Sequence, residues 1–109
     1  MSGITTHVLD TALGKPAAGI GVRLEKHDED SWLLLAETAT DGDGRCRNLA
    51  QDVSAGVYRL TFSTDEYFRR QERSSIYPEI AVTFECRNDA HYHMPLLLTD
   101  NGYTTYRGS

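Results

Sequence analysis

Apolar residues recur at every second position in several short runs, and this period-two pattern restricts the chain to a fold of half-buried strands. Ile20, Val22 and Leu24 alternate with Gly21, Arg23 and Glu25, which sends one face into a core and the other into water. A second run, Trp32 to Thr40, follows the turn-forming Asp28-Glu29-Asp30-Ser31 and completes a hairpin. Val57 to Phe62 and Ile80 to Phe84 repeat the β-branched and aromatic signature, with Asp41-Gly42-Asp43-Gly44 and Ala55-Gly56 as punctuation. His91 to Leu98 reads as a further strand, Asn101-Gly102 as a turn, and Tyr103 to Arg107 as the returning half of a last hairpin. Strands at this spacing predict an all-β sandwich.

One segment breaks the rhythm. Ser63 with Glu66 has the spacing of a capping box, and Phe62 with Tyr67 that of a hydrophobic staple, so a single short helix is expected from Thr64 to Arg73. Arg69, Arg70 and Arg73 then fall at the negative end of its dipole, and Pro78 prevents continuation.

The 109 residues show no break in composition and read as one domain, 1–109. A chain of this size buries roughly two thirds of its unfolded surface, a modest core that favours association. Eleven Lys and Arg against sixteen Asp and Glu leave a net charge of −5, which repels a phosphate backbone and argues against nucleic acid as a partner. No apolar stretch approaches the ~20 residues of a membrane span, and the first residues lack the basic and apolar regions of a signal peptide. The expectation is a cytoplasmic protein with no membrane partner, in which Cys46 and Cys86 stay reduced and pack as small hydrophobes.

Several residues could carry chemistry. His91 and His93 lie two apart on a strand, so their rings leave one face about 7 Å apart. With Cys46, Cys86 or His7 they could form a zinc shell, but no Cys-x-x-Cys or His-Glu-x-x-His accompanies them, and no metal is assigned. Asp41-Gly42-Asp43-Gly44 begins like a calcium loop, yet the fifth and sixth positions are Arg45 and Cys46, which cannot continue one. It reads instead as a tight turn that delivers Arg45 to the start of a strand, where a guanidinium can hold a carboxylate or a polarised carbonyl. His7 lies in Thr5-Thr6-His7-Val8-Leu9-Asp10, with His7 and Leu9 on one face and Val8 on the other. No Gly-x-Ser-x-Gly elbow points to a covalent nucleophile. Any hydrolysis would use water, activated by a histidine and assisted by a cation at the developing oxyanion. His7, Arg45 and His93 supply those parts, and which histidine acts as base is left open.

The chain also resembles a known family. Thr6-His7-Val8-Leu9-Asp10, Asp43-Gly44-Arg45, Tyr92-His93-Met94-Pro95-Leu96-Leu97 and the ending Tyr106-Arg107-Gly108-Ser109 match the "THVLD", "DGR", "YHxPLL" and "YRGS" motifs of the 5-hydroxyisourate hydrolases, the enzyme branch of the transthyretin-like family. The likeness spans nearly the whole chain, and the hormone-carrying transthyretins lack the "YRGS" ending. It implies a transthyretin-like (prealbumin-like) β-sandwich with one short helix, assembled as a homotetramer through edge strands. The implied reaction is hydrolysis of 5-hydroxyisourate to 2-oxo-4-hydroxy-4-carboxy-5-ureidoimidazoline in urate degradation, without a cofactor. His7, Arg45 and His93 would be catalytic. His7, Arg45, Tyr106, Arg107 and Ser109 would bind substrate, Ser109 through its hydroxyl or its terminal carboxylate. The alternative is a transthyretin-like small-molecule carrier without catalysis.

Overall fold

The computed structural model describes residues 3–87 and 90–108 and arranges them in two sheets with one helix. In chain order the strands are β1 (Gly3–Asp10), β2 (Lys15–Pro16), β3 (Gly21–Asp28), β4 (Ser31–Ala39), β5 (Arg45–Gln51), β6 (Gly56–Ser63), β7 (Ile80–Cys86), β8 (His91–Thr99) and β9 (Gly102–Thr105), with α1 (Thr64–Arg69) after β6. One sheet runs β4-β3-β6-β7, all antiparallel. In the other, β1 and β8 lie side by side in parallel, β9 flanks β8, and β2 and β5 share the outer edge of β1.

The expected alternation fills the space between the sheets. Ile4 and Val8 of β1 and Leu96 and Leu98 of β8 are fully buried, as are Leu24 and Leu60 opposite them in the second sheet. Cys46 and Cys86 are unpaired and buried, and burial pushes both thiols up to about 11, so they behave as the small hydrophobes anticipated. Among the described residues no helix is long and apolar enough to cross a membrane.

The helix differs from expectation in two ways. It ends at Arg69 rather than Arg73, and Ser63 makes no side-chain capping bond. The Tyr77-Pro78 segment takes over the cap: Thr64 Oγ1 donates to the Tyr77 carbonyl, 2.7 Å, and the Asp65 amide to that of Pro78, 3.0 Å. The chain then reverses through Glu72, φ 56°, and carries Arg73 to a buried partner rather than to the helix dipole.

That partner is Asp10, the fully buried last residue of β1. Its carboxylate accepts from Tyr67 Oη and Arg73 Nη1, each at 2.7 Å, and from the Leu13 amide at 3.1 Å, while Arg73 also pairs with Asp100. Burial opposes ionisation of Asp10, but the bonds from Arg73, Tyr67 and Leu13 outweigh it and hold the carboxyl below its usual range. With the folded value below the unfolded one of about 3.9, this stabilisation is complete above that pH and is lost as pH falls through the folded value. Asp10→Asn should cost about 3 kcal/mol in denaturant unfolding at pH 7, since it leaves Arg73 half-compensated. Its deficit against the wild type should shrink towards pH 3, and a pH-independent deficit would contradict the ionised pair.

Candidate active site

Three neighbouring strands carry the sequence-selected residues to the outer face of the β1-β8 sheet. In the antiparallel β1-β5 pairing His7 lies opposite Arg45, and in the parallel β1-β8 pairing Thr5 lies opposite His93. Since side chains directly across a sheet share a face, Arg45, His7, Thr5 and His93 project together, away from the buried Thr6, Val8, Cys46 and Met94. A depression of about 250 Å³ opens there, lined by Thr5, Thr6, Arg45, Arg47, His91 and His93. His7 borders it as the register partner of Arg45.

The turn before β5 sets this geometry. Asp41 Oδ1 accepts from the amides of Asp43, 2.8 Å, and Arg45, 3.0 Å, a side-chain-closed turn that also holds the Asp41 carboxyl below its usual range. Gly44 adopts φ 76°, and its carbonyl accepts from the Val8 amide at 2.7 Å. A Cβ there would stand 2.4 Å from the Val8 carbonyl oxygen, so only glycine lets the turn close onto β1. The Asp43 carbonyl is thereby placed 2.9 Å from His7 Nε2. A carbonyl only accepts, so neutral His7 carries its proton on Nε2 and its lone pair on Nδ1.

His93 is half-buried, with Nδ1 2.8 Å from Thr5 Oγ1. Burial first, then the positive Arg45 and the neighbouring His7 and His91, lower its pKa, so the neutral ring persists to lower pH than in a free imidazole. The C-terminal segment folds back on the same strand. Gly108 donates its amide to the His93 carbonyl at 2.7 Å, and a Cβ on Gly108 would come within 2.9 Å of His93 Cδ2. Arg107 lies over the Tyr92 ring at 4.0 Å and donates to the His91 carbonyl at 3.1 Å, which turns it away from the depression. Tyr106 is exposed just beyond β9. Ser109 lies outside the described residues.

The structure thus gathers Arg45, His7 and His93, and leaves Tyr106 and Arg107 off the lining of the depression. It also adds Thr5 and Arg47, which the sequence reading did not select, and His91, which that reading weighed only as a metal ligand beside His93. The available signal was the alternation of β1 itself, since Thr5 shares the face of His7. The cysteines of the zinc alternative are buried in the core, Cys46 on the opposite side of the sheet from His7.

Comparison with known proteins gives the chain a lineage. Residues 4–108 match the HIUase/Transthyretin family. A 5-hydroxyisourate hydrolase from Caulobacter vibrioides is 45% identical, covering 100% of both chains. The solved 5-hydroxyisourate hydrolase of Klebsiella pneumoniae superposes with a TM-score of 0.86 at 34% identity, covering 97% of this chain and 98% of that one. Transthyretin from Sparus aurata superposes with a TM-score of 0.91 at 29% identity, covering 96% and 95%.

The packing of His93 has a direct readout. In an NMR titration its ring should titrate below the ordinary histidine value of about 6.5. Arg45→Ala should move it back upward, and a wild-type value at or above 6.5 would contradict the burial and charge described.

Proposed function

This chain belongs to the HIUase/transthyretin family, and on that premise we propose that it hydrolyses 5-hydroxyisourate to 2-oxo-4-hydroxy-4-carboxy-5-ureidoimidazoline. The observation that carries this reading is the meeting of two imidazoles and a guanidinium on one outer face, beside a depression with room for a small polar ring. Water is the one co-substrate the reaction requires.

A water molecule between His7 and His93 loses its proton to one of them as its oxygen attacks a carbonyl of the six-membered ring. Both rings have a neutral form with a lone pair, on Nδ1 in His7, and the lowered pKa of His93 keeps that form available in weakly acidic solution. Arg45 offsets the negative charge that develops on the carbonyl oxygen. The carbon–nitrogen bond at that carbon then breaks, the nitrogen is protonated, and the attacked carbon leaves as the carboxyl group of the product.

Tyr106, Arg107 and Ser109 belong to the proposed binding set. Within one subunit Tyr106 and Arg107 stand away from the depression, so their part is assigned in an assembly. The homotetramer fits the unpaired outer edges of β4, β7 and β9 and the exposed Leu33, Leu34, Tyr103 and Tyr106. The unit is the single sandwich 1–109, and the two unpaired, buried cysteines suit a cytoplasmic setting.

A non-catalytic carrier is the second reading, favoured by the superposition on transthyretin. The charged, hydrogen-bonding character of Arg45, Arg47, His91 and His93 around the depression weighs against a bulky apolar ligand. With 5-hydroxyisourate generated in place by urate oxidase, its ultraviolet absorbance should decay faster with the protein than without. His93→Ala and Arg45→Ala should each lower that rate by about 10²-fold or more. Decay no faster than the spontaneous background would move the carrier reading to the front. Extending the chain by a few residues beyond Ser109 tests the last member of the set. A large loss of activity is expected if the free carboxylate is used, and full activity would remove that role.

A further inference from the structure

Thr5 occupies an unusual position between two histidines. Its Oγ1 lies 3.0 Å from His91 Nε2 and 2.8 Å from His93 Nδ1. The parallel register causes this: Gly3 lies opposite His91 and Thr5 opposite His93, so the threonine hydroxyl bridges two rings on the facing strand. A hydroxyl has one proton to give and two lone pairs with which to accept. When both rings are neutral, Thr5 can accept an N–H from each, but its own proton is used within the bridge only if it donates to one ring and accepts an N–H from the other.

We propose that Thr5 and His91 are positioning residues that fix the tautomer of His93: Thr5 donates its proton to His91 Nε2 and accepts the His93 Nδ1–H, which leaves the lone pair on His93 Nε2 as the base. This rests on the hydrolase reading above. The charges around the depression favour that arrangement over its mirror. Arg45 and Arg47 of β5 line it with His93, and His7 of β1 borders it, so the ring nitrogen left facing these groups is better an acceptor than an N–H. Asp41 and Asp43 face this cluster too, but Asp41 pairs with Arg47 at 2.7 Å and the Asp43 carboxylate lies 3.7 Å from the same guanidinium.

Long-range proton–nitrogen NMR of the imidazoles, at a pH where the rings are neutral, reads the tautomer without reference to activity. Wild-type His93 should be protonated on Nδ1. Thr5→Val, which keeps the branched shape, should shift His93 to the Nε2–H form preferred by a free ring and lower kcat about 10- to 100-fold, with KM within about twofold. Thr5→Ser restores the hydroxyl and should recover both the tautomer and most of the rate. His93 found protonated on Nε2 in the wild type, or an unchanged kcat in Thr5→Val, would overturn the proposal. If the wild type does not hydrolyse 5-hydroxyisourate, the hydrolase reading has failed and the NMR result still decides the tautomer.

Discussion

The parallel pairing of β1 with β8 is the constraint on which the rest of the molecule hangs. Eight consecutive register pairs run from Gly3 opposite His91 to Asp10 opposite Leu98, joining segments separated by most of the chain. On the inner face this pairing sets Val8 against Leu96, both fully buried. On the outer face it sets Thr5 against His93. Because side chains alternate with period two, a slip of one residue would expel Val8 from the core and bury His7 in the same step. The core energy therefore enforces the register of the site. The chemistry needs no separate device to align its residues across the strands.

Electrostatics follow from that placement. The chain as a whole is acidic, yet its outer sheet face collects Arg45, Arg47, His7, His91 and His93. Burial of the imidazole, and after it the positive Arg45, lowers the pKa of His93 and so favours the neutral ring that the proposed base requires. Asp41 contributes twice, once by closing the turn that delivers Arg45 and once by pairing with Arg47. A single carboxylate thus shapes the loop and divides the positive charge unevenly between two arginines.

Much of this was legible in the sequence, because alternation and turn chemistry are local. The β3-β4 hairpin, the runs that became β6, β7 and β8, and the tight turn before Arg45 were read from neighbouring residues alone. The shared face of His91 and His93 came from spacing, and Thr5 supplies the physical link between them. The cap of α1 was misread because a sequence pattern states what Ser63 could bond, whereas the Tyr77-Pro78 segment arrived first in space. Arg73 was misassigned for a related reason. Its partner Asp10 stands 63 residues away, and no local period records a pair made only by tertiary packing. Thr5 is not legible in the sequence because its contacts with His91 and His93 depend on which strand lies beside it.

One strand thus separates folding from chemistry by parity alone. Ile4, Thr6, Val8 and Asp10 face inward, where Thr6 Oγ1 bonds the Met94 carbonyl at 2.6 Å and Asp10 anchors Arg73. Thr5 and His7 face outward and are free of the core. Substitutions at the odd positions can rewrite the site while the even positions hold the sandwich, so one architecture can serve unrelated tasks. The superpositions fit this division: the TM-score against a transthyretin, 0.91, is no lower than that against a hydrolase, 0.86. Backbone similarity of that kind reports the shared sandwich. The residues that the proposed function uses stand on the outer face of the β1-β8 sheet, where Thr5, His7, Arg45 and His93 project together.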